Sequence, residues 1–569
     1  MANESRQGRR ENARLETGSI VKGQKGLIRT ALVYPNTYQA GMSSLGFQAV
    51  YGLINDLDQV AAERVFLPDG PGAEPRSVES NRGLAGFDIL FFSVSFENDY
   101  LNLIAMLERS GIPLRAADRN ENHPLLVAGG VAAYLNPEPL ALFMDLMLLG
   151  EAELFIPQFF DVYSPRMPRQ RLFEQLASTV QGVYVPSWYA HIACRDGEFA
   201  GMKTLNGHAL QRIRVRRVQK LEQICTTRVL TSDTAFKNTF LIETGRGCHH
   251  GCRFCSAGFI YRPPRFYPED VVARAFEEAK KLTPRVGLVS AAVSDHPAIN
   301  AICARGIAED LSISFSSLRA DALTDELIAT LQKSGVKTAT LAPEAGSERM
   351  RAIINKKIGE TELISAAERL VGAGIINLKL YYMIGLPFEN DGDVQEIVTL
   401  TGKIREAFVR ASRKKQKIGT ISLSINPFIP KPATPFQWAP MAKIPLLKKR
   451  LKIVQDGLKK MPNIRLKWES LRMARINALL SRGGRPVAEI LEHAARNGWS
   501  SALKNADDYC EAVVHTERDE DEVFPWEIVD TGLKREFLWR EYQRAKSERT
   551  SPDCPMIDCN LCNLCRIPD

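Results

Sequence analysis

"GRGCHHGCRFCSAG", Gly245 to Gly258, packs Cys248, Cys252 and Cys255 into a single short stretch of a chain that has 11 cysteines in all. The spacing, three residues and then two, lets these thiolates converge on one metal centre. Two centres suit the residue types. Structural zinc takes four ligands, and His249 or His250 offers the fourth beside the three cysteines. An iron–sulfur cluster would be held through three irons, leaving the fourth open to a substrate or cofactor. An odd number of thiols argues against a disulfide. The stretch follows "NTFLIETG", a strand-like run, so the cysteines fall in the loop after a strand.

Onward from that strand, "RVGLVSAAV", "LSISFSSLRAD", "VKTATLAPEAG", "INLKLYYMIGLP" and "IGTISLSINPF" alternate with segments of helical period. Such a succession predicts a partial (β/α)6 barrel, in which chemistry belongs to the loops at the carboxyl ends of the strands. Before it, "IRTALVYP", "AERVFLP", "FDILFFSVSF", "PLLVAGG" and "FMDLMLLGEAE" alternate with helical runs such as "LGFQAVYGLIND". This predicts a doubly wound, Rossmann-like parallel sheet with its ligand crevice at the strand ends. Gly129, Gly130 and Gly150 stand at two such ends and suit a backbone that a ligand approaches closely. The fold class is therefore α/β. The expected divisions are a flexible start (1–26), an α/β domain (27–165), a connecting region (166–237), the barrel (238–440), a mostly helical segment (441–550) and a cysteine-rich tail (551–569).

At 569 residues the chain exceeds what one core usually serves. Its 45% hydrophobic and 25% charged residues are those of an ordinary globular protein and name no function. No apolar run approaches the roughly 18 residues of a membrane span, and the start lacks the apolar stretch of a secretory signal, so the expectation is a cytoplasmic protein with reduced cysteines. The net charge of +8 gathers in "RIRVRR", "RASRKKQK" and Lys443 to Lys467. Nucleic acid is a candidate partner on charge but is not favoured. No stacking aromatics accompany the charge, and a solvated helix face accounts for it. Asp295 and His296 in "SAAVSDHP" offer acid/base groups, or a helix cap in the case of Asp295. Cys194, Cys225, Cys303 and Cys510 are isolated and read as small buried hydrophobes.

The cysteine spacing, with the aromatic Phe254 before the last cysteine, resembles the signature of the radical S-adenosylmethionine (SAM) enzymes. "PEAGSERMRAIINKK" (343–357) is similar to the family's segment after the fourth strand, and "YYMIGLPFEN" (381–390) to its fifth-strand segment. The resemblance implies a 4Fe–4S cluster on Cys248, Cys252 and Cys255 whose open iron is chelated by SAM. An electron then cleaves SAM to methionine and a 5'-deoxyadenosyl radical, the chemistry being the cofactor's and the positioning the protein's. It also implies the Phe254 backbone near adenine, Ser316, Arg319 and Glu344 as polar partners of the cofactor, and Gly385 to Pro387 as a backbone wall. A reducing electron donor of flavodoxin or ferredoxin type is implied as well. "SAAVSDHP" departs from the glycine-rich site that many relatives carry at the second strand end.

The first domain resembles the cobalamin-binding domain that precedes the barrel in one large subgroup. Where ligating members carry Asp-x-His-x-x-Gly, this chain has "NTYQAG", with Asn36 and Tyr38 in place of the aspartate and the histidine. Cobalamin without a histidine ligand is one reading, and a domain kept for shape or substrate docking is the other. Cys554, Cys559, Cys562 and Cys565 suit a second 4Fe–4S cluster or zinc. They end a segment resembling that of an uncharacterised cobalamin-type subgroup. The expected activity is that of a transferase, a cobalamin-assisted methylation of an unactivated centre on an unidentified substrate. The alternatives are a sulfur-inserting, methylthiotransferase-like enzyme acting on RNA or protein, and a non-catalytic metal-containing protein that binds nucleic acid.

Overall fold

"IRTALVY" forms β1 (Ile28–Tyr34), a strand buried on both faces, as expected when helices cover a parallel sheet on either side. The structure, a computed structural model, describes residues 15–23, 25–70, 72–193, 199–557 and 559–566. After β1 come α1 (Leu45–Asn55), started by the Ser44 side chain accepting from the Phe47 amide, and β2 (Val60–Phe66). β3 (Ile89–Ser93), α2 (Tyr100–Arg109), β4 (Leu125–Gly129), β5 (Leu146–Leu148) and β6 (Val183–Tyr184) complete the unit. The strand order is β2-β1-β3-β4-β5-β6, parallel except for the last pair. The order reverses between β1 and β3, which places a ligand crevice at their carboxyl ends. The outer edge of β2 is not left open. The segment Ser77–Glu79 covers it, and Arg64 on that edge is buried between Glu16 and Glu79. Glu16 belongs to the stretch read as flexible. Together with Thr17 it pairs with Leu230–Thr231.

The second unit alternates β7 (Phe240–Glu243), α3 (Glu269–Lys280), β8 (Arg285–Val289), α4 (Ile299–Ala308), β9 (Ser312–Phe315), α5 (Asp325–Lys333), β10 (Thr338–Glu344), α6 (Glu360–Gly372), β11 (Asn377–Ile384), α7 (Asp391–Lys414) and β12 (Ile421–Pro427). α8 (Ile444–Leu458) and β13 (Ile464–Trp468) follow. All strands are parallel, in two hydrogen-bonded arcs, β7-β8-β9 and β10-β11-β12-β13. β13 lies beyond residue 440, inside the segment expected to be helical. Ile464, Leu466 and Trp468 alternate with Arg465 and Lys467, a period of two that the long basic run conceals, and the charges suit an edge strand.

The carboxy-terminal helices α9 (Leu471–Arg482), α10 (Val487–Asn505), α11 (Asp507–His515) and α12 (Arg535–Lys546) join the units. α10 bends at Gly498, whose φ is +77°. One apolar core runs from the first sheet through the second arc into these helices, and the first arc keeps its own around Phe276, Leu288 and Ile313. A third, aromatic core of Phe436, Trp438, Phe524, Trp526 and Tyr542 also takes in Cys562 and Leu564 and so seats the tail. Among the described residues, no helix is long and apolar enough to cross a membrane.

Candidate active site

The cysteine loop leaves β7 through Gly247, where φ is +87° and an added Cβ would meet the Tyr261 carbonyl at 2.6 Å. The chain then turns so that the Cys255 amide donates to the Cys252 carbonyl at 3.0 Å. Arg253, fully buried, nails the loop to the segment after β10. Its amide donates to the Ile354 carbonyl at 3.0 Å and its guanidinium to the Ile353 carbonyl at 2.7 Å. The three thiols lie within one another's electrostatic reach: Cys248 feels Cys252 and Cys255, and Cys255 feels Cys252. Burial, then these neighbours, pushes Cys248 up to about 12; burial also raises Cys252 and Cys255, while Lys356 and Arg319 pull Cys252 the other way. Three thiols on one loop, flanked by two cations, suit an anionic thiolate-bound iron–sulfur centre, whose iron charge would deprotonate them.

Arg319 and Glu344 lie within electrostatic reach of Cys252, and the Arg319 guanidinium is held by Asp321 at 2.8 Å. Glu344 closes β10 at a φ of +66°, a strained backbone for a glutamate, and pairs with Lys356 Nζ at 3.5 Å. Burial raises its carboxyl against the pull of Lys356. Ser316 joins the ends of β8 and β9, donating to the Ser290 carbonyl at 3.1 Å. Phe254 packs at the margin of the aromatic core. Gly385, at a φ of +78°, gives its amide to Glu389 at 2.7 Å, and Leu447 and Ala442 close its Cβ side; Pro387, two residues on, is half-buried.

Lys356 carries no role in the sequence reading although it stands inside "INKK". Its placement comes from the turn after β10. Asp295 accepts from His250 at 2.7 Å and so braces the cysteine loop. His296 is buried, bonded to the Tyr267 carbonyl and the Ala298 amide, with its pKa lowered first by burial. That is a packing role and not the substrate-side acid/base role considered from sequence.

Between the two sheets lies a cavity of about 490 Å³. One wall is the switch point of the first sheet, with Leu32, Phe92 and Ser93; the other is the barrel mouth, with Glu243, Gly245 to Gly247, Ala257, Tyr261 and Ser290. Residues flanking the cysteines therefore face strand ends of the first sheet. Arg246 ties the walls together by gripping Glu151 and Glu153 on one side and Glu243 on the other. Gly129, Gly130 and Gly150 all line the cavity, but two of them answer to their own chain. An added Cβ at Gly130 would meet Val94 O at 2.4 Å, and at Gly150 Arg216 O at 2.2 Å. Only Gly129, whose Cβ would touch nothing nearer than 3.8 Å, offers free backbone. Tyr38 is buried with its hydroxyl on Glu16, and Ser44 to Phe47 form the nearby wall instead. Cys303 and Cys510 are buried as expected; Cys225 departs from that reading by lining the cavity, and Cys194 lies outside the described residues.

The tail folds against the back of the cysteine loop. The Cys554 amide donates to the His249 carbonyl at 2.8 Å, and Cys554, Cys559, Cys562 and Cys565 lie within mutual electrostatic reach.

Known proteins similar to this chain are the following. The family model "Radical SAM superfamily" matches residues 242–401, and "Radical SAM proteins, N-terminal" matches residues 46–186. "Uncharacterized protein MJ0966" of Methanocaldococcus jannaschii is 32% identical over 489 residues, which cover 84% of this chain and 94% of that protein. Among solved structures, the radical SAM methyltransferase TsrM from Kitasatospora setae, with cobalamin and a [4Fe-4S] cluster bound, is 13% identical with a TM-score of 0.44, covering 92% of this chain and 98% of that one. The cobalamin-dependent SAM radical enzyme OxsB is 12% identical with a TM-score of 0.43, covering 92% and 80%. The superfamily model spans the cysteine loop and the strands behind it, and the archaeal relative spans most of both chains. This chain belongs to the radical SAM superfamily.

Proposed function

We propose that the chain binds a 4Fe–4S cluster and SAM at Cys248, Cys252 and Cys255, holds cobalamin in the cavity between its two sheets, and methylates an unactivated centre of its substrate. The observation that carries the reading is the shared wall, since Gly245 to Gly247 line the cavity and run directly into Cys248. A substrate there would meet groups held at both sites within one cleft between the sheets.

The cluster with SAM would supply a 5'-deoxyadenosyl radical, and cobalamin a transferable methyl group. The chain's own residues do the rest. Lys356 presents positive charge beside Cys252, suited to the carboxylate of SAM, with Arg319 held nearby by its two bonds to Asp321, and Glu344 presents a carboxylate for the ammonium group. Leu32, Phe47, Phe92 and Phe155 make the first-sheet side of the cavity apolar, which suits a corrin face. Free backbone at Gly129 admits close approach.

The test is anaerobic purification, reconstitution with iron, sulfide and cobalamin, and measurement of bound cobalt, iron and 5'-deoxyadenosine after reduction with dithionite in the presence of SAM. Retained cobalt with 5'-deoxyadenosine formation is expected, and replacing Cys248, Cys252 and Cys255 by alanine should remove about four irons and the product. Product without cobalt retention would retire the methylation reading in favour of hydrogen abstraction alone.

A further inference from the structure

The four tail thiols sit behind the cysteine loop, away from the substrate cavity. Among the described residues, none from the tail lines that cavity. Cys554, Cys559 and Cys562 instead share a separate cavity of about 270 Å³ with Gly251 and Phe259, on and just after the cysteine loop, and with Asn355. The joint is direct. Besides the bond from the Cys554 amide to His249, Asp553 meets His250 Nδ1 at 3.4 Å and Lys357 at 2.7 Å. Asn355 ties both sides, donating to the Gly251 carbonyl at 3.1 Å and accepting from the Ser551 amide at 2.8 Å. Arg253 adds bonds to Ser551 and to the Arg549 carbonyl. Ordinary bond lengths along this path put the Cys554 and Cys248 sulfurs no more than about 16 Å apart.

The surface over these thiols has a distinct character. Met556, Ile557 and Leu561 are 38%, 73% and 49% exposed. Beside them, Arg540, which is exposed, and Arg544, which pairs with Glu541 at 3.4 Å, both line the tail cavity. Arg262 separates that cavity from a neighbouring one of about 500 Å³, walled by Arg216, Arg217 and Lys220 together with Leu564 of the tail. Arg216 and Arg217 donate to neutral oxygens, of Leu154 and Gln158 and of Tyr134 and Thr531, and so do not spend their charge on carboxylates there. An apolar tip in a basic collar complements an acidic protein surface.

We propose that the carboxy-terminal cysteines are the electron entrance of the enzyme. A second cluster on Cys554, Cys559, Cys562 and Cys565 takes one electron from an acidic one-electron carrier protein docked over Met556, Ile557 and Leu561, and passes it to the centre held by Cys248, Cys252 and Cys255. This rests on the reading of the cysteine loop given above. The carrier is oxidised by one electron. The tail centre is reduced and reoxidised as the loop centre is reduced. The electron ends in bound SAM, whose C5'–S bond breaks to give methionine and the 5'-deoxyadenosyl radical, with no proton transferred. A tail centre that anchored substrate or donated sulfur would have to open onto the substrate cavity, and the described tail residues do not.

The test compares two reductants on the reconstituted full chain: dithionite, which needs no docking site, and a reduced flavodoxin as the acidic carrier. Met556→Asp and Ile557→Asp should keep wild-type iron, about eight per chain, and wild-type 5'-deoxyadenosine yield with dithionite. With flavodoxin, cluster reduction followed by electron paramagnetic resonance, and product formation, should each fall roughly tenfold or more, and raised salt should slow the wild type in the same way. Equal flavodoxin rates in wild type and both variants, or zinc in the tail with about four irons in all, would overturn the proposal. Failure of dithionite to yield 5'-deoxyadenosine in the wild type is a separate result that removes the radical reading itself.

Discussion

Asp99 is 1% exposed and takes one hydrogen bond, from Asn36 Nδ2 at 2.7 Å, while its other oxygen has no partner among the described residues. Burial raises its carboxyl from 3.8 to about 6, with Glu97 adding to the rise and Asn36 opposing it. A raised carboxyl favours the folded state while protonated. This stabilisation is full below pH 3.8 and is lost as pH climbs through 6, a swing of about 2–3 kcal/mol. Asp99→Asn should abolish the swing and leave the variant with a higher Tm than wild type at pH 8 but not at pH 4, as read by thermal melts across that range. Gly150 makes a steric prediction. With a φ of +148° and the Arg216 carbonyl 2.2 Å from the position of an added Cβ, Gly150→Ala should cost about 3 kcal/mol or more, seen as a lowered Tm. A ligand-contact glycine would instead lose cobalt binding at unchanged Tm, which is the outcome to look for at Gly129.

At the scale of elements, α7 shows how one cap can do two jobs. Asn390 Oδ1 accepts from the Asp393 amide at 3.1 Å while Asp393 accepts from the Asn390 amide at 2.9 Å, a reciprocal capping box. Asp393 also accepts from Ser347 and Arg349, each at 2.7 Å, and so ties the start of α7 to the turn after β10 that carries Lys356. Asn390→Ala should therefore cost about 1 kcal/mol, and Asp393→Ala, which leaves three donors without their acceptor, about 2–3 kcal/mol. Thermal melts of the two variants check the ranking. The seventh strand belongs to this scale too. β13 extends the second arc because Ile464, Leu466 and Trp468 share one face, and its neighbour α8 keeps its lysines outward.

The whole molecule is held closed by a buried polar joint. Glu138, fully buried, accepts from Arg485 at 2.8 Å, from Tyr184 at 2.5 Å and pairs with His191 at 2.7 Å. Burial pushes its carboxyl up, and His191 and Arg485 outweigh that and hold it below its ordinary value. Asn136 adds bonds from the first unit to the Ser481 and Gly483 carbonyls at 3.1 and 2.8 Å. Arg485→Ala would leave Glu138 buried with only His191 and Tyr184 as partners, a loss of about 2–3 kcal/mol. Calorimetry should then show the first unit melting as a separate, earlier transition.

The sequence by itself determined the cysteine loop, both strand–helix alternations and the glycine-marked strand ends, because spacing, hydrophobic period and turn chemistry are local properties of the chain. It also brought Glu344 forward, since it lies in a segment whose resemblance is local, and Arg319 by its position after a strand-like run. Only the tertiary structure decided the rest. Lys356 reaches Cys252 through a turn, Cys225 faces the cavity from a connecting region, and His296 is spent on packing. The tail, some 300 residues downstream of the motif, lies against its back through Arg253 and Asn355. Contacts between residues so far apart depend on how whole faces pack, and no local pattern in either segment records its partner.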